Sequence, residues 1–399
     1  MNLKQPIKVN YYQILFFIVF SILWITYFLI PGFWGTDTYG FYLNYCMGKP
    51  QLIVNIPIAS DLLFNSIPCS VLGFKIIMLL IFTAWLLVVL GILELFSPKN
   101  IWKNMCCLFA FLPLMGFFFQ LEDDNFGYIL LTLSQYFVIK GIIKKSRIDT
   151  IIGVTIVGLT GLLFWRGSIL FLFNYSFITF FSLGLFLIVL TFFSFGFYNP
   201  TGSPLTLIYE EIKFIFFNLF PSFDSINSKV LENAIGVSSI MIMILFIFYP
   251  SIPNNLLIIS GIFIIASLFS IKWSLYTLPF LLIGTVFDKF KILNILTIIL
   301  MALVFLAYNA WLFTTFLPTN QDWEIINDAK QLSIEKGIKL NTDWTHGYWA
   351  IYQGINTPYY AGIPNHYDFN HSMVLSYFIP DLNCPIIKQN SNTIIYICP

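Results

Sequence analysis

Residues 71–95 read VLGFKIIMLLIFTAWLLVVLGILEL, an apolar run broken by Lys75 near its start and Glu94 at its end. A helix rises 1.5 Å per residue, so about 20 such residues cross the roughly 30 Å hydrocarbon core of a bilayer. A run of this length with no polar face decides the class: the chain reads as an all-α polytopic membrane protein. Composition agrees, because 58% of the 399 residues are hydrophobic and 10% are charged, against about half and a quarter in soluble domains. An ordinary soluble enzyme is excluded. Twenty Lys+Arg against nineteen Asp+Glu leave a formal net charge of +1, which supplies no basic field for nucleic acid.

Outward from this run, further apolar stretches predict spans near 12–30, 104–120, 126–143, 150–165, 236–250, 254–271, 273–288 and 291–316, with another apolar stretch at 168–198. The first is expected to be an uncleaved helix, since its apolar run is long and no small-x-small cleavage site precedes Pro31-Gly32. Lys and Arg concentrate in short cytoplasmic loops. An inside N-terminus puts Lys4, Lys8, Lys99, Lys103, Lys140, Lys144, Lys145 and Arg147 in the cytoplasm, and residues 31–70 and 122–124 outside. Two short helices at 168–198, broken near Gly184, then keep Lys289 and Lys291 inside and give about eleven spans. Asp37, Asp61, Glu122, Asp123, Asp124, Glu210, Glu211, Asp224 and Glu232 all fall outside, so the outer face is where a cation could be held.

Residues 317–399 are richer in Asn, Asp and Tyr and contain no run long enough to span. The chain therefore divides into a transmembrane domain, 1–316, and a small C-terminal α/β extracytoplasmic domain, 317–399. In the latter, Asp322 to Lys336 predicts an amphipathic helix with Trp323, Ile326, Ala329 and Leu332 on its apolar face. Ile338 to Leu340 predicts a strand start, and Ile386 to Ile397 a hairpin turning at Asn390-Ser391-Asn392. Of six cysteines, Cys106 and Cys107 fall within a span, while Cys46 with Cys69 and Cys384 with Cys398 fall outside, where disulfides persist. A Cys384–Cys398 bridge closing the hairpin is the favoured pairing.

Two outer segments carry acidic chemistry. The first, Gly32-Phe33-Trp34-Gly35-Thr36-Asp37-Thr38-Tyr39-Gly40-Phe41-Tyr42, sets Asp37 among aromatic residues just beyond the first span; a turn Asp capping a short helix is the plain alternative. The second, Gln120-Leu121-Glu122-Asp123-Asp124-Asn125, crowds three carboxylates between two spans. Their mutual repulsion is relieved by water or by a cation, and hard oxygen ligands suit magnesium or manganese. A solvated turn is the alternative there.

An Asp after the first helix, an acidic pair Glu122-x-Asp124 in the second outer loop, and many spans followed by an outer domain resemble the GT-C superfamily of integral-membrane glycosyltransferases. The closer likeness is to the catalytic subunit of oligosaccharyltransferases, including the archaeal and bacterial single-subunit forms, in a shortened chain. Asn341-Thr342-Asp343-Trp344-Thr345-His346-Gly347-Tyr348-Trp349 resembles that family's WWDYG segment: Trp344, Gly347, Tyr348 and Trp349 match, with Thr345 and His346 at the places of its Asp and Tyr. Leu207-Ile208-Tyr209-Glu210-Glu211 is a partial match to the TIXE motif, and Lys272-Trp273-Ser274-Leu275-Tyr276 is similar to a helix start whose Arg meets the lipid-linked phosphate. Arg166 is a second cation of that kind.

The resemblance implies a GT-C-like fold and transfer of a sugar or oligosaccharide from a polyprenyl-phosphate-linked donor to a protein, lipid or glycan acceptor on the outer face of the cell membrane. It implies Asp37, Glu122 and Asp124 as catalytic residues and ligands of Mn2+ or Mg2+, or Asp37 as general base in a metal-independent variant. Trp344, Thr345, His346 and Glu210 would bind acceptor, and Lys272 and Arg166 the donor phosphate. A polytopic transporter or lipid-linked sugar flippase is the competing expectation, although such proteins tend to carry internal repeats.

Overall fold

The computed structural model describes residues 10–30, 32–48, 58–96, 98–108, 119, 121, 125–164, 276, 318–355, 359–360, 371–376, 384–390 and 393–398; for Thr36, Asp37, Ile58, Cys107, Leu162, Asp343, Trp344, Thr345, Tyr359 and Tyr360 it describes the backbone alone. The expected spans at 168–198, 236–250, 254–271 and 291–316 lie outside these residues, as does all but Tyr276 of 273–288.

Helix α1, Tyr11–Leu29, starts where the Asn10 side chain accepts a hydrogen bond from Tyr12 N–H at 3.0 Å, and it occupies the first expected span. Ile14, Leu15, Ile18, Ile22, Ile25 and Leu29 are exposed along it while Phe16, Trp24 and Tyr27 are buried. Such a face is apolar where it meets solvent, which is the signature of a lipid-facing helix. After it come α2, Thr36–Cys46; α3, Ile58–Ser66; α4, Val71–Phe96; α5, Ile101–Cys107; α6, Asn125–Lys144; and α7, Arg147–Leu163. Among the described residues, α1, α4 and α6, of 19, 26 and 20 residues, are long and apolar enough to cross a membrane.

These helices pack through the devices available where lipid supplies no hydrophobic contrast: small residues and buried hydrogen bonds. A Cβ on Gly153 of α7 would stand 2.6 Å from Val138 Cγ2 and 2.8 Å from the Ser134 carbonyl of α6, so the pair approaches as closely as glycine permits. Between α4 and α6, Trp85 Nε1 donates to Thr132 Oγ1 at 3.1 Å, and from α6 the Gln135 side-chain amide reaches the carbonyl of Tyr276, far along the chain, at 3.2 Å.

The C-terminal part is a five-stranded sheet with two helices. Helix α8, Asn320–Lys336, begins at a capping box in which Thr319 and Asp322 exchange hydrogen bonds, and ends at Gly337, whose φ of 64° is the left-handed conformation a helix stop requires. The expected helix over 322–336 thus starts slightly earlier; its buried face is Ile325, Ile326 and Ala329, with Trp323 and Leu332 partly covered. Strand β1, Lys339–Asp343, runs into α9, Trp344–Tyr352, followed by β2, Tyr359–Tyr360, β3, Ser372–Ser376, β4, Ile386–Gln389, and β5, Ile394–Cys398. The sheet order is β2-β1-β3-β5-β4. β1 is parallel to both neighbours, and β3-β5-β4 is antiparallel, so the expected hairpin is present. Met373, Leu375 and Ile395 face the helices, whereas Val374, Ile394, Tyr396 and Cys398 form a second small cluster on the other face, as the two-residue period of a strand demands.

Both cysteine pairs expected to be bridgeable are bridged: Cys384–Cys398, and also Cys46–Cys69, which ties the end of α2 to the start of α4. Helices α1 to α7 and the sheet domain share one continuous buried apolar cluster from Phe16 to Ile395.

Candidate functional site

The turn between α1 and α2 is held by Lys75, a residue to which the sequence alone gives no role. Lys75, buried in α4, donates from Nζ to the carbonyls of Tyr27, Phe28 and Ile30 at 3.1, 3.4 and 2.5 Å, and lies 5.2 Å from the centre of the Tyr27 ring. The last carbonyls of a helix are unsatisfied and carry partial negative charge, so an ammonium there caps α1. The signal that could have found it was a lone cation inside an apolar run.

Beyond this cap the chain turns at Gly32 and Gly35, with φ of 78° and 81°. A Cβ on Gly32 would meet Tyr39 Oη at 2.5 Å, and that same hydroxyl accepts the Phe33 N–H at 3.2 Å. Asp37 is the second residue of α2.

Two contacts bring Phe119 and Leu121 to this turn. Tyr27 Oη donates to the Phe119 carbonyl at 2.9 Å, and Leu121 N–H donates to Thr38 Oγ1 at 2.8 Å, across 83 residues of sequence. Thr38, Phe119 and Leu121 are all buried. Glu122, Asp123 and Asp124, which follow Leu121 directly in sequence, lie outside the described residues. So do Arg166, Glu210 and Lys272, the other expected acceptor and phosphate contacts.

The C-terminal domain meets the same helix. Tyr39 of α2 packs edge-on against Tyr352 of α9 at 5.1 Å between ring centres, and against Trp323 of α8 at 6.4 Å; Tyr42 reaches Tyr352 at 6.1 Å. Burial pushes the Tyr39 and Tyr352 hydroxyls above the ordinary phenol range. Segment 344–349 thus sits on the helix that packs against α2.

Within that segment Trp344 and Thr345 contribute backbone at the first turn of α9, and His346 is fully buried. His346 Nε2 lies 3.1 Å from Thr393 Oγ1, which donates to Asp322 Oδ1 at 2.5 Å. Asp322 also accepts from Asn390 Nδ2 at 2.7 Å and from the Thr319 N–H and hydroxyl, each at 2.7 Å. Burial by itself would raise the Asp322 carboxyl, but the donors from Thr393, Asn390 and Thr319 together hold it below the usual aspartate range.

Among the described residues no group of three His, Cys, Asp or Glu side chains could hold a metal ion. The acids expected to do so are the Asp37 side chain and Glu122 and Asp124, all outside that description. Comparison of the chain with protein-family models, with curated proteins and with solved structures found no match in any of the three.

Proposed function

We propose that the protein is a GT-C-type membrane glycosyltransferase, similar to the oligosaccharyltransferase catalytic subunit, that moves a sugar or oligosaccharide from a polyprenyl-phosphate-linked donor to an acceptor on the outer face of the membrane. The observation that carries this reading is the Leu121 to Thr38 hydrogen bond. It joins the residue before Glu122 to the residue after Asp37, which is what one shared acidic site requires. The packing of α2 against α9 supports it further, because the acceptor segment of the resemblance then adjoins the same turn.

In this mechanism cleavage of the sugar–oxygen bond builds positive charge on the ring and negative charge on the departing phosphate. Lys272 and Arg166 would bind that phosphate. Asp37 would take the proton of a hydroxyl acceptor, or with Glu122 and Asp124 would hold a cation; these oxygen donors suit Mn2+ or Mg2+. Such a cation, when bound, stabilises the leaving group. Trp344, Thr345, His346 and Glu210 would orient the acceptor.

The two disulfides support an outward C-terminal domain and an outward 31–70 segment, with the N-terminus cytoplasmic, since both bridges need an oxidising compartment. A flippase or transporter is the second reading, and a buried cation in a candidate span is the feature that favours it. Lys75, however, is already engaged by three main-chain carbonyls.

The test is transfer from a native pool of polyprenyl-linked sugars in proteoliposomes, with and without manganese, for wild type and Asp37→Ala. Transfer by wild type that Asp37→Ala loses while remaining folded is the expected result. Equal transfer by both would remove Asp37 from the site. Movement of the lipid between leaflets with no transfer would establish the flippase instead.

A further inference from the structure

We propose that Asp322 and Thr393 are positioning residues for the acceptor segment: Asp322, acting through the Thr393 hydroxyl, fixes His346 as its Nε2–H tautomer and so fixes the first turn of α9. The proposal rests on the transferase reading for the role of residues 344–346, but its chemistry is decided by hydrogen-bond geometry alone.

Asp322 receives four donors: the Thr319 N–H, the Thr319 hydroxyl, Asn390 Nδ2 and Thr393 Oγ1. A carboxyl group so surrounded by donors accepts at both oxygens and is ionised. The Thr393 hydroxyl proton therefore points to Asp322, at 2.5 Å. A hydroxyl has one proton, so toward His346 its oxygen can only accept. The ring nitrogen 3.1 Å away must then be the donor, which places the proton on Nε2.

Thr393 is itself fixed, because its N–H donates to Asn390 Oδ1 at 2.6 Å. The array thus joins the N-terminus of α8, the β4–β5 turn and the first turn of α9, residues 47 and 71 apart in sequence from Thr393. His346 in turn lies edge-on against Trp349 at 5.2 Å. The family-like motif covers only the middle of this device. Asp322 and Thr393 lie outside it, and their effect reaches the acceptor segment through a single ring.

The experiment is made on the full chain in detergent and in proteoliposomes. Nitrogen-15 histidine labelling reports the His346 tautomer, and transfer is titrated with the acceptor fraction of the native membrane at fixed donor. Wild type should show Nε2–H. Thr393→Val should lose that preference and need about tenfold more acceptor for half-maximal transfer, the effect of about one hydrogen bond, with the maximal rate within about twofold. Thr393→Ser should restore both. Should Thr393→Val fold poorly, judged by its thermal midpoint in detergent, Asp322→Asn serves instead: an amide N–H facing Thr393 reverses the hydroxyl and moves the ring toward Nδ1–H.

An Nδ1–H ring in wild type, or an unchanged tautomer in the variants, overturns the proposal. A changed tautomer with unchanged acceptor requirement overturns the positioning role. Wild type holding Nε2–H but transferring nothing overturns the transferase reading, and the acceptor role falls with it.

Discussion

Thr38 shows how much one side chain can decide. Its hydroxyl is the acceptor for the buried Leu121 N–H, and Thr38→Val keeps the shape while stranding that donor. A buried unsatisfied amide costs about 1–3 kcal/mol, so the variant should melt earlier in detergent and lose transfer more than an exposed-site control; unchanged melting and transfer would show that the two acidic segments do not depend on this bond. Lys75 acts likewise on α1. Replacing it by Met removes the donor to three carbonyls. Charged hydrogen bonds contribute about 1.5–3 kcal/mol, so a fall in thermal midpoint of detergent-solubilised protein is expected, partly recovered by Lys75→Arg. Asp322 adds a pH dependence. Its carboxyl is held below the ordinary aspartate pKa, so its contribution to the C-terminal domain is fully present above about pH 3.9 and is lost as pH falls from there through the lowered value. Acid-induced proteolysis of the C-terminal domain should therefore set in below about pH 4, and Asp322→Asn should flatten that dependence. The amphipathic helix from Asp322 to Lys336 was legible in the sequence, but not the link of Asp322 to Thr393, because nothing local couples residues 71 apart.

At the scale of elements, α6 and α7 pack closely through their glycines. Gly153 faces Val138 and the Ser134 carbonyl at distances no Cβ tolerates. Gly153→Leu forces the helices apart, and overpacking of this kind costs about 1–3 kcal/mol. The variant should show reduced thermal stability, whereas an alanine or leucine at Gly48, with open space around it, tests only its φ of 64°. Helix existence was readable from the apolar periods of the sequence for α1, α4 and α6, whose bounds fall within a few residues of the expected 12–30, 71–95 and 126–143. α2 and α3 were not, because they are short, mixed in polarity and stabilised by neighbours. Phe41 packs tilted against Phe64 at 4.5 Å between ring centres, and Cys46 is bridged to Cys69.

Across the whole molecule, the shared core couples the C-terminal domain to the helices, and each bridge closes a loop within one of these two parts. Cys46–Cys69 closes a loop of 23 residues and Cys384–Cys398 one of 14; loops of this size are worth about 3 kcal/mol each through the unfolded chain. Reduction should lower the thermal midpoint. After reduction, a membrane-impermeant thiol reagent applied from outside should label Cys46, Cys69, Cys384 and Cys398 and spare Cys106, whose thiol lies against the Tyr12 carbonyl at 3.1 Å. Labelling from the inside only would reverse the proposed topology.

The sequence by itself determined that the chain enters a membrane, where several helices run, and that a strand, an amphipathic helix and a cysteine-closed hairpin follow near the C-terminus. Those features depend on residue periods and spacings over short stretches, which are local. Only the tertiary structure decided that Thr38 meets Leu121, that Lys75 caps α1, that α9 leans on α2 through Tyr39 and Tyr352, and that His346 is tied to Asp322 through Thr393. Each joins groups distant in sequence through a hydrogen bond or ring contact a few ångströms long, and hydropathy carries no information about which distant groups meet.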